Sequence, residues 1–163
     1  MTDVPPHLQA RVEGDEIEVG GARLRLRPTE QGDRACIATR WVRSAMAEQD
    51  VEGALWGALV DRLLDSPRTR VAVVCSEASA STILAWACAM SAPATSSKWT
   101  ARPVLHFAHV DPKLRGFGVG RAVIRRALGV YPDAIDVTHP WPFEGPRYRH
   151  DWLRAGALLA LGG

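Results

Sequence analysis

The stretch HVDPKLRGFGVGRAVIRRAL, His109 to Leu128, sets three alternate glycines behind an arginine and then turns amphipathic. The run that enters it, VLHFAHV, is short, apolar and rich in residues that favour strands. Past the glycines, Val119, Val123, Ile124, Ala127 and Leu128 recur on one side of a helix, with Arg121, Arg125 and Arg126 mostly on the other. The segment reads strand, bare turn, helix. Glycine lets the backbone approach an anion closely and take dihedrals that a side chain forbids. The first turn of the following helix adds unpaired N–H groups and the positive end of its dipole. Such a turn suits phosphate, and two common phosphate patterns fail here. A P-loop ends in Gly-Lys-Ser/Thr, whereas Gly120 is followed by Arg121 and Ala122. A dinucleotide fingerprint needs a further glycine where Arg121 stands, and it opens a first βαβ unit, which this turn in the chain's second half does not. What remains is Arg-x-x-Gly-x-Gly between a strand and a helix, matched by Arg115, Gly118 and Gly120 without a gap.

Outward from this unit, the chain alternates the two hydrophobic periods. EIEVGGARLRLRPT predicts two short strands around Gly20-Gly21, with Ile17, Val19, Leu24 and Leu26 facing inward. Ile37, Ala38, Trp41, Val42, Ala45 and Met46 follow helical spacing between Ala35 and Gln49. Leu55, Leu59, Val60, Leu63 and Leu64 do the same for a second helix, which Ser66-Pro67 ends. RVAVVC and TILAWACAM predict a hairpin, AIDVTH a later strand, and residues 147–161 a last helix. The order is strand, two helices, three strands, helix, strand, helix. That implies an α/β sheet with both hairpin and crossover connections. Residues 1–22 are expected to form an N-terminal arm with short strands, and residues 23–163 a single domain.

With Val110 and Pro112 ahead of Arg115, the segment VDPKLRGFGVGRAVIRRAL resembles the pyrophosphate-binding motif of the GNAT superfamily of acyl-CoA N-acyltransferases. The specific match covers residues 104–128, and the looser match of element order runs from about 23 to 157. The resemblance implies a mixed, mostly antiparallel sheet flanked by helices, in which the strand before the glycine turn splays from its neighbour. Acetyl-CoA or another acyl-CoA would lie in that notch as cosubstrate. Val110, Arg115, Gly116, Phe117, Gly118, Val119, Gly120 and Arg121 are the expected cofactor-binding residues, largely through main-chain amides. A primary amine would then attack the thioester directly.

Direct attack needs the amine without its extra proton. A lysine-like amine with a pKa of about 10.4 lies some three units from neutrality at pH 7, a cost of about 4–5 kcal/mol. A positioned base typically contributes about 10²–10⁴-fold. His106, nine residues before Arg115 on the expected strand, is the first candidate, since histidine titrates near neutrality. His109 lies on the other face by strict alternation unless a bulge intervenes, and is the second. The family often places a tyrosine acid four residues before a glycine on the last helix. Here Trp152 holds that position before Gly156, and indole cannot donate the proton, so Tyr148 is the substitute candidate.

The remaining features bound the function. The chain has 163 residues and a formal net charge of +2, which gives no electrostatic argument for a nucleic-acid or membrane partner. A nucleic-acid-modifying relative of this fold remains a lower alternative, resting on Arg147, Arg149, Arg154 and the helix arginines. Cys36, Cys75 and Cys88 lack CxxC spacing, which predicts reduced thiols in a cytoplasmic protein and no metal site. The expected acceptor is an amine on a small molecule or a protein, and Glu48, Asp50 and Glu52 form an acidic turn that could attract a cationic one. Only ALLALGG follows the last helix pattern, so a homodimer completing the sheet is also an expectation. The rival class is a non-catalytic module of the same fold that binds CoA or a protein.

Overall fold

The computed structural model describes residues 9–48, 53–90, 103–129 and 135–137. Seven strands form one sheet in sequence order: β1 (Arg11–Glu13), β2 (Glu16–Val19), β3 (Ala22–Pro28), β4 (Thr69–Ser76), β5 (Ser79–Met90), β6 (Val104–Val110) and β7 (Asp136–Val137). Each pair from β1 to β6 is antiparallel, and β6–β7 is parallel. Helices α1 (Arg34–Glu48) and α2 (Gly53–Asp65) connect β3 to β4, and α3 (Val119–Leu128) lies between β6 and β7. The parallel pair is where α3 must cross, because a parallel connection cannot be a tight hairpin.

The two faces of the sheet carry two cores. Ile17, Val19, Leu24 and Leu26 are buried on one face, as their alternation predicts, together with Leu105 and the apolar side of α3. On the other face Ile37 and Trp41 of α1 and Leu59, Val60 and Leu63 of α2 pack on Val73, Ile83, Trp86, Cys88 and Phe107. β1 and β2 belong to the same sheet as β3, and Leu26 donates its N–H to the Asp15 carbonyl at 2.7 Å.

One buried ion pair fixes the entry to α1. The Arg27 guanidinium donates to both Asp33 oxygens, at 2.6 and 3.0 Å, and also to the Ala80 carbonyl at 3.0 Å. Asp33 in turn accepts from the Glu30 N–H at 2.8 Å. The hydrogen bonds from Arg27 hold the Asp33 carboxyl below its ordinary value against the opposing effect of burial. The pair ties β3, the entry to α1 and the start of β5 together.

Candidate active site

The site is built on an irregularity of the sheet. In the β5–β6 register Cys88 pairs with Phe107 but Ala89 pairs with Leu105, so His106 is the extra residue of a bulge. The bulge resets the alternation: Leu105 sits in the α3-side core, whereas Phe107 lies on the α1/α2 side. His109 follows Phe107 to that side, its ring 6.5 Å from that of Trp86 at an interplanar angle of 25°. Among the described residues, β7 pairs with β6 only at Val104–Asp136 and Leu105–Val137.

The glycine turn follows directly. Asp111 accepts from the Lys113 N–H at 2.9 Å and closes a short 3₁₀ turn over Pro112–Leu114. Gly116 and Gly118 have φ of 84° and 90°, in the left-handed region that other residues rarely adopt. Gly118 caps α3 without any side-chain hydrogen bond, so the first N–H groups of the helix have no acceptor from within it. Gly120 serves a different end: a Cβ there would lie 3.2 Å from Val110 Cγ2, so its absence lets α3 pack tightly on β6. Val119 is fully buried and belongs to the α3-side core. Phe117 packs against the α3-side core while its carbonyl accepts from the Ala10 N–H at 2.6 Å, pinning the turn to the segment before β1. Arg115 is exposed and its Nε donates to the Val110 carbonyl at 3.1 Å; Arg121 is exposed on the first turn of α3. The turn thus brings left-handed glycine backbone to the start of α3, with the guanidinium side chains of Arg115 and Arg121 on the same segment.

The two histidines have different surroundings. His106 is 1% exposed. His109 is half-buried, and its pKa is lowered first by burial, then by the positive charges of Arg40 and Arg115, against a smaller opposing effect of Asp111. A lowered value keeps the imidazole neutral at pH 7, the form that can accept a proton. Beneath it lies an aromatic cluster: Trp86 and Phe107 stack at 5.0 Å, and Trp41 meets them at 5.7 and 5.4 Å. Tyr148 and Trp152 fall outside the described residues, as do the side chains of the acidic turn at Glu48, Asp50 and Glu52.

Sequence reasoning missed two contributors. Trp86 was legible only as an apolar residue of a strand, and pairing with His109 makes it the floor under that ring. Arg40 read as one more polar residue of α1. It is half-buried and donates from Nη1 to the Ile83 carbonyl at 3.0 Å, next to the β5 irregularity where the register passes over Leu84. Among the described residues no cluster of His, Cys, Asp or Glu could hold a metal ion. Nor is any described helix long and apolar enough to cross a membrane.

No protein-family profile matches the chain, and no curated protein matches it in sequence. Solved structures do. A Bacillus halodurans C-125 transcriptional regulator matches over 80% of this chain and 97% of its own, at 12% identity and a TM-score of 0.50. A Trypanosoma brucei acetyltransferase matches over the same shares at 20% identity and a TM-score of 0.46. A Desulfovibrio desulfuricans protein assigned to the GNAT acetyltransferases matches over 63% of this chain at 20% identity and a TM-score of 0.42, and the match spans 62% of that protein's length. Identities this low speak to fold alone. The stronger ground is internal: the antiparallel sheet in sequence order, the bulged β6, its parallel pairing with β7, and the Arg-x-x-Gly-x-Gly turn into α3 occur together. This chain has the fold of the GNAT superfamily.

Proposed function

We propose that the protein transfers an acyl group, with acetyl the expected one, from acyl-CoA to a primary amine by direct attack. The observation that carries the reading is the β6–glycine turn–α3 unit. Its left-handed glycines Gly116 and Gly118 lead into the uncapped N-terminus of α3, the arrangement that favours a pyrophosphate. Arg115 and Arg121 would add charge-assisted bonds to the cofactor's phosphates. The pantetheine arm would run along β6, with a β6 amide polarising the thioester carbonyl.

His109 is the better-supported base. It faces the α1/α2 side, is partly open to solvent and is held neutral, whereas His106 is enclosed. In the step, the amine nitrogen forms a bond to the thioester carbon, His109 accepts the amine's proton directly or through water, and the carbon–sulfur bond breaks with the electron pair leaving on sulfur. A CoA thiolate is a tolerable leaving group, so the reaction does not depend on an acid from the last helix.

The test is amine-dependent release of CoA thiol from acetyl-CoA, comparing wild type with His109→Ala and His106→Ala. His109→Ala should lower kcat by about 10²-fold or more with little change in acetyl-CoA affinity. Loss of turnover in His106→Ala alone, with native stability, would transfer the role to His106. A folded protein that binds acetyl-CoA and acylates no amine would favour the non-catalytic CoA-binding module.

A further inference from the structure

We propose that the amine acceptor carries an anionic group, a carboxylate in the simplest case, and that Arg40 receives it. The inference rests on the acyltransferase reading for the word acceptor, but the anion site itself stands on the geometry of α1 and β5.

Among the described residues three arginines are wholly or partly buried, Arg27, Arg34 and Arg40, and the first two are committed to carboxylates. Arg27 is held by Asp33, Arg34 by Asp61 and Asp65 at 3.3 and 2.6 Å, Arg11 by Glu13 at 3.0 Å, and Arg126 by Asp15 at 3.1 Å. Arg40 differs. It is half-buried, and its one hydrogen bond among the described residues is from Nη1 to a neutral carbonyl, that of Ile83. No described carboxylate lies within 4 Å of it. A guanidinium has five N–H donors in a fixed fork, so anchoring one leaves the rest oriented and available. The anchor also limits the rotamer freedom that a bound anion would otherwise have to freeze.

Its place is as informative as its lack of a counter-ion. Arg40 stands between Ile37 and Trp41, the two α1 residues buried against Ile83, Trp86 and Phe107. His109 lies on the same face over Trp86, close enough for the two cations Arg40 and Arg115 to act on its charge. A partly buried guanidinium anchored at one N–H, on the face that carries the proposed base, offers its other donors to an anion. An amine that is also an anion fits: its carboxylate would neutralise Arg40 while its nitrogen faces His109. Arg40 would likewise disfavour purely cationic acceptors, by like-charge repulsion in a partly desolvated site.

The experiment is a histidine-resolved NMR titration of the full chain with N-acetylglycine and N-acetyl-β-alanine, the smallest carboxylate-bearing products, each against its own carboxamide. The His109 imidazole resonances should move with the carboxylates and not with the carboxamides. Arg40→Gln should weaken the carboxylate response at least about 10-fold, the size of one charge-assisted hydrogen bond. Arg40→Lys, which keeps the charge, should recover part of it. Equal response to carboxamides, an unchanged response in Arg40→Gln, or no response to either carboxylate in wild type would each overturn the proposal. Calorimetry with acetyl-CoA on the same samples separates the two claims. Carboxylate binding without acetyl-CoA binding would sink the acyltransferase reading and leave the anion site, and the converse would sink only the anion site.

Discussion

Gly118→Ala and Gly129→Ala form a matched pair that separates backbone strain from ligand seating. Both glycines flank α3, at its N-cap and C-cap, with φ of 90° and 82°. Neither has a crowded Cβ position: nothing lies within 4 Å at Gly118, and the nearest atom at Gly129 is Arg70 Nη1 at 3.4 Å, the far end of a flexible side chain. Alanine at either site therefore costs the left-handed backbone penalty and little else, about 1–2 kcal/mol. For a chain of this length that is a fall of about 2–8 °C in Tm, which differential scanning fluorimetry resolves. The two variants should then part company. At Gly118 the added methyl stands at the mouth of the amide cradle, and displacing one charge-assisted backbone bond costs about 1.5–3 kcal/mol, or roughly 10–150-fold in the Kd for acetyl-CoA. At Gly129, one helix length away, Kd should stay at the wild-type value. Equal Tm losses with equal, unchanged affinities would refute the assignment of the glycine turn as the pyrophosphate seat.

Three further outcomes follow from the packing. Asp33→Ala removes the buried partner of Arg27 and leaves it only the longer ion pair to exposed Glu30 at 3.6 Å, so it should destabilise by up to about 3–5 kcal/mol in urea unfolding, while replacing both by apolar residues should cost less. Because the Asp33 pKa is depressed in the fold, its contribution is present above the ordinary value near 3.8 and is lost as pH falls through the lower, folded value; Asp33→Asn should flatten that acid limb. Trp86→Phe should lie within about 1 kcal/mol of wild type. The Trp86 Nε1 is buried with no hydrogen-bond partner among the described residues, so losing it offsets a small cavity; a loss above about 3 kcal/mol would show that the N–H has a partner. For His109 the sign is opposite to that of a salt-bridged histidine. Its folded pKa lies below the ordinary 6.5, so it stays neutral through that pH, and the acid limb of kcat/KM should fall at a pH lower than 6.5. A limb above 6.5 would exclude it as the base.

The sequence was most readable where one residue type has one physical use. Ile17, Val19, Leu24 and Leu26 alternate and are buried as alternation requires, and Ile37, Trp41, Leu59, Val60 and Leu63 keep helical spacing and face the sheet. The Arg115–Gly120 motif was readable because left-handed backbone at Gly116 and Gly118 and close helix packing at Gly120 demand glycine. Strict alternation failed at His106. A bulge inserts one residue without any compositional mark; here it encloses His106 and puts His109 on the α1/α2 face, over Trp86. Arg40 and Trp86 were opaque for a related reason. Their roles depend on which residues of α1, β5 and β6 meet across the sheet, and contacts so far apart in sequence leave no local pattern.

The most direct measurement is a calorimetric titration of the purified chain with acetyl-CoA at moderate salt and without an acceptor. Micromolar, stoichiometric binding that weakens in Gly118→Ala is the predicted result. No heat of binding from a protein shown to be folded would contradict the central claim that the turn after β6 holds the pyrophosphate of an acyl-CoA.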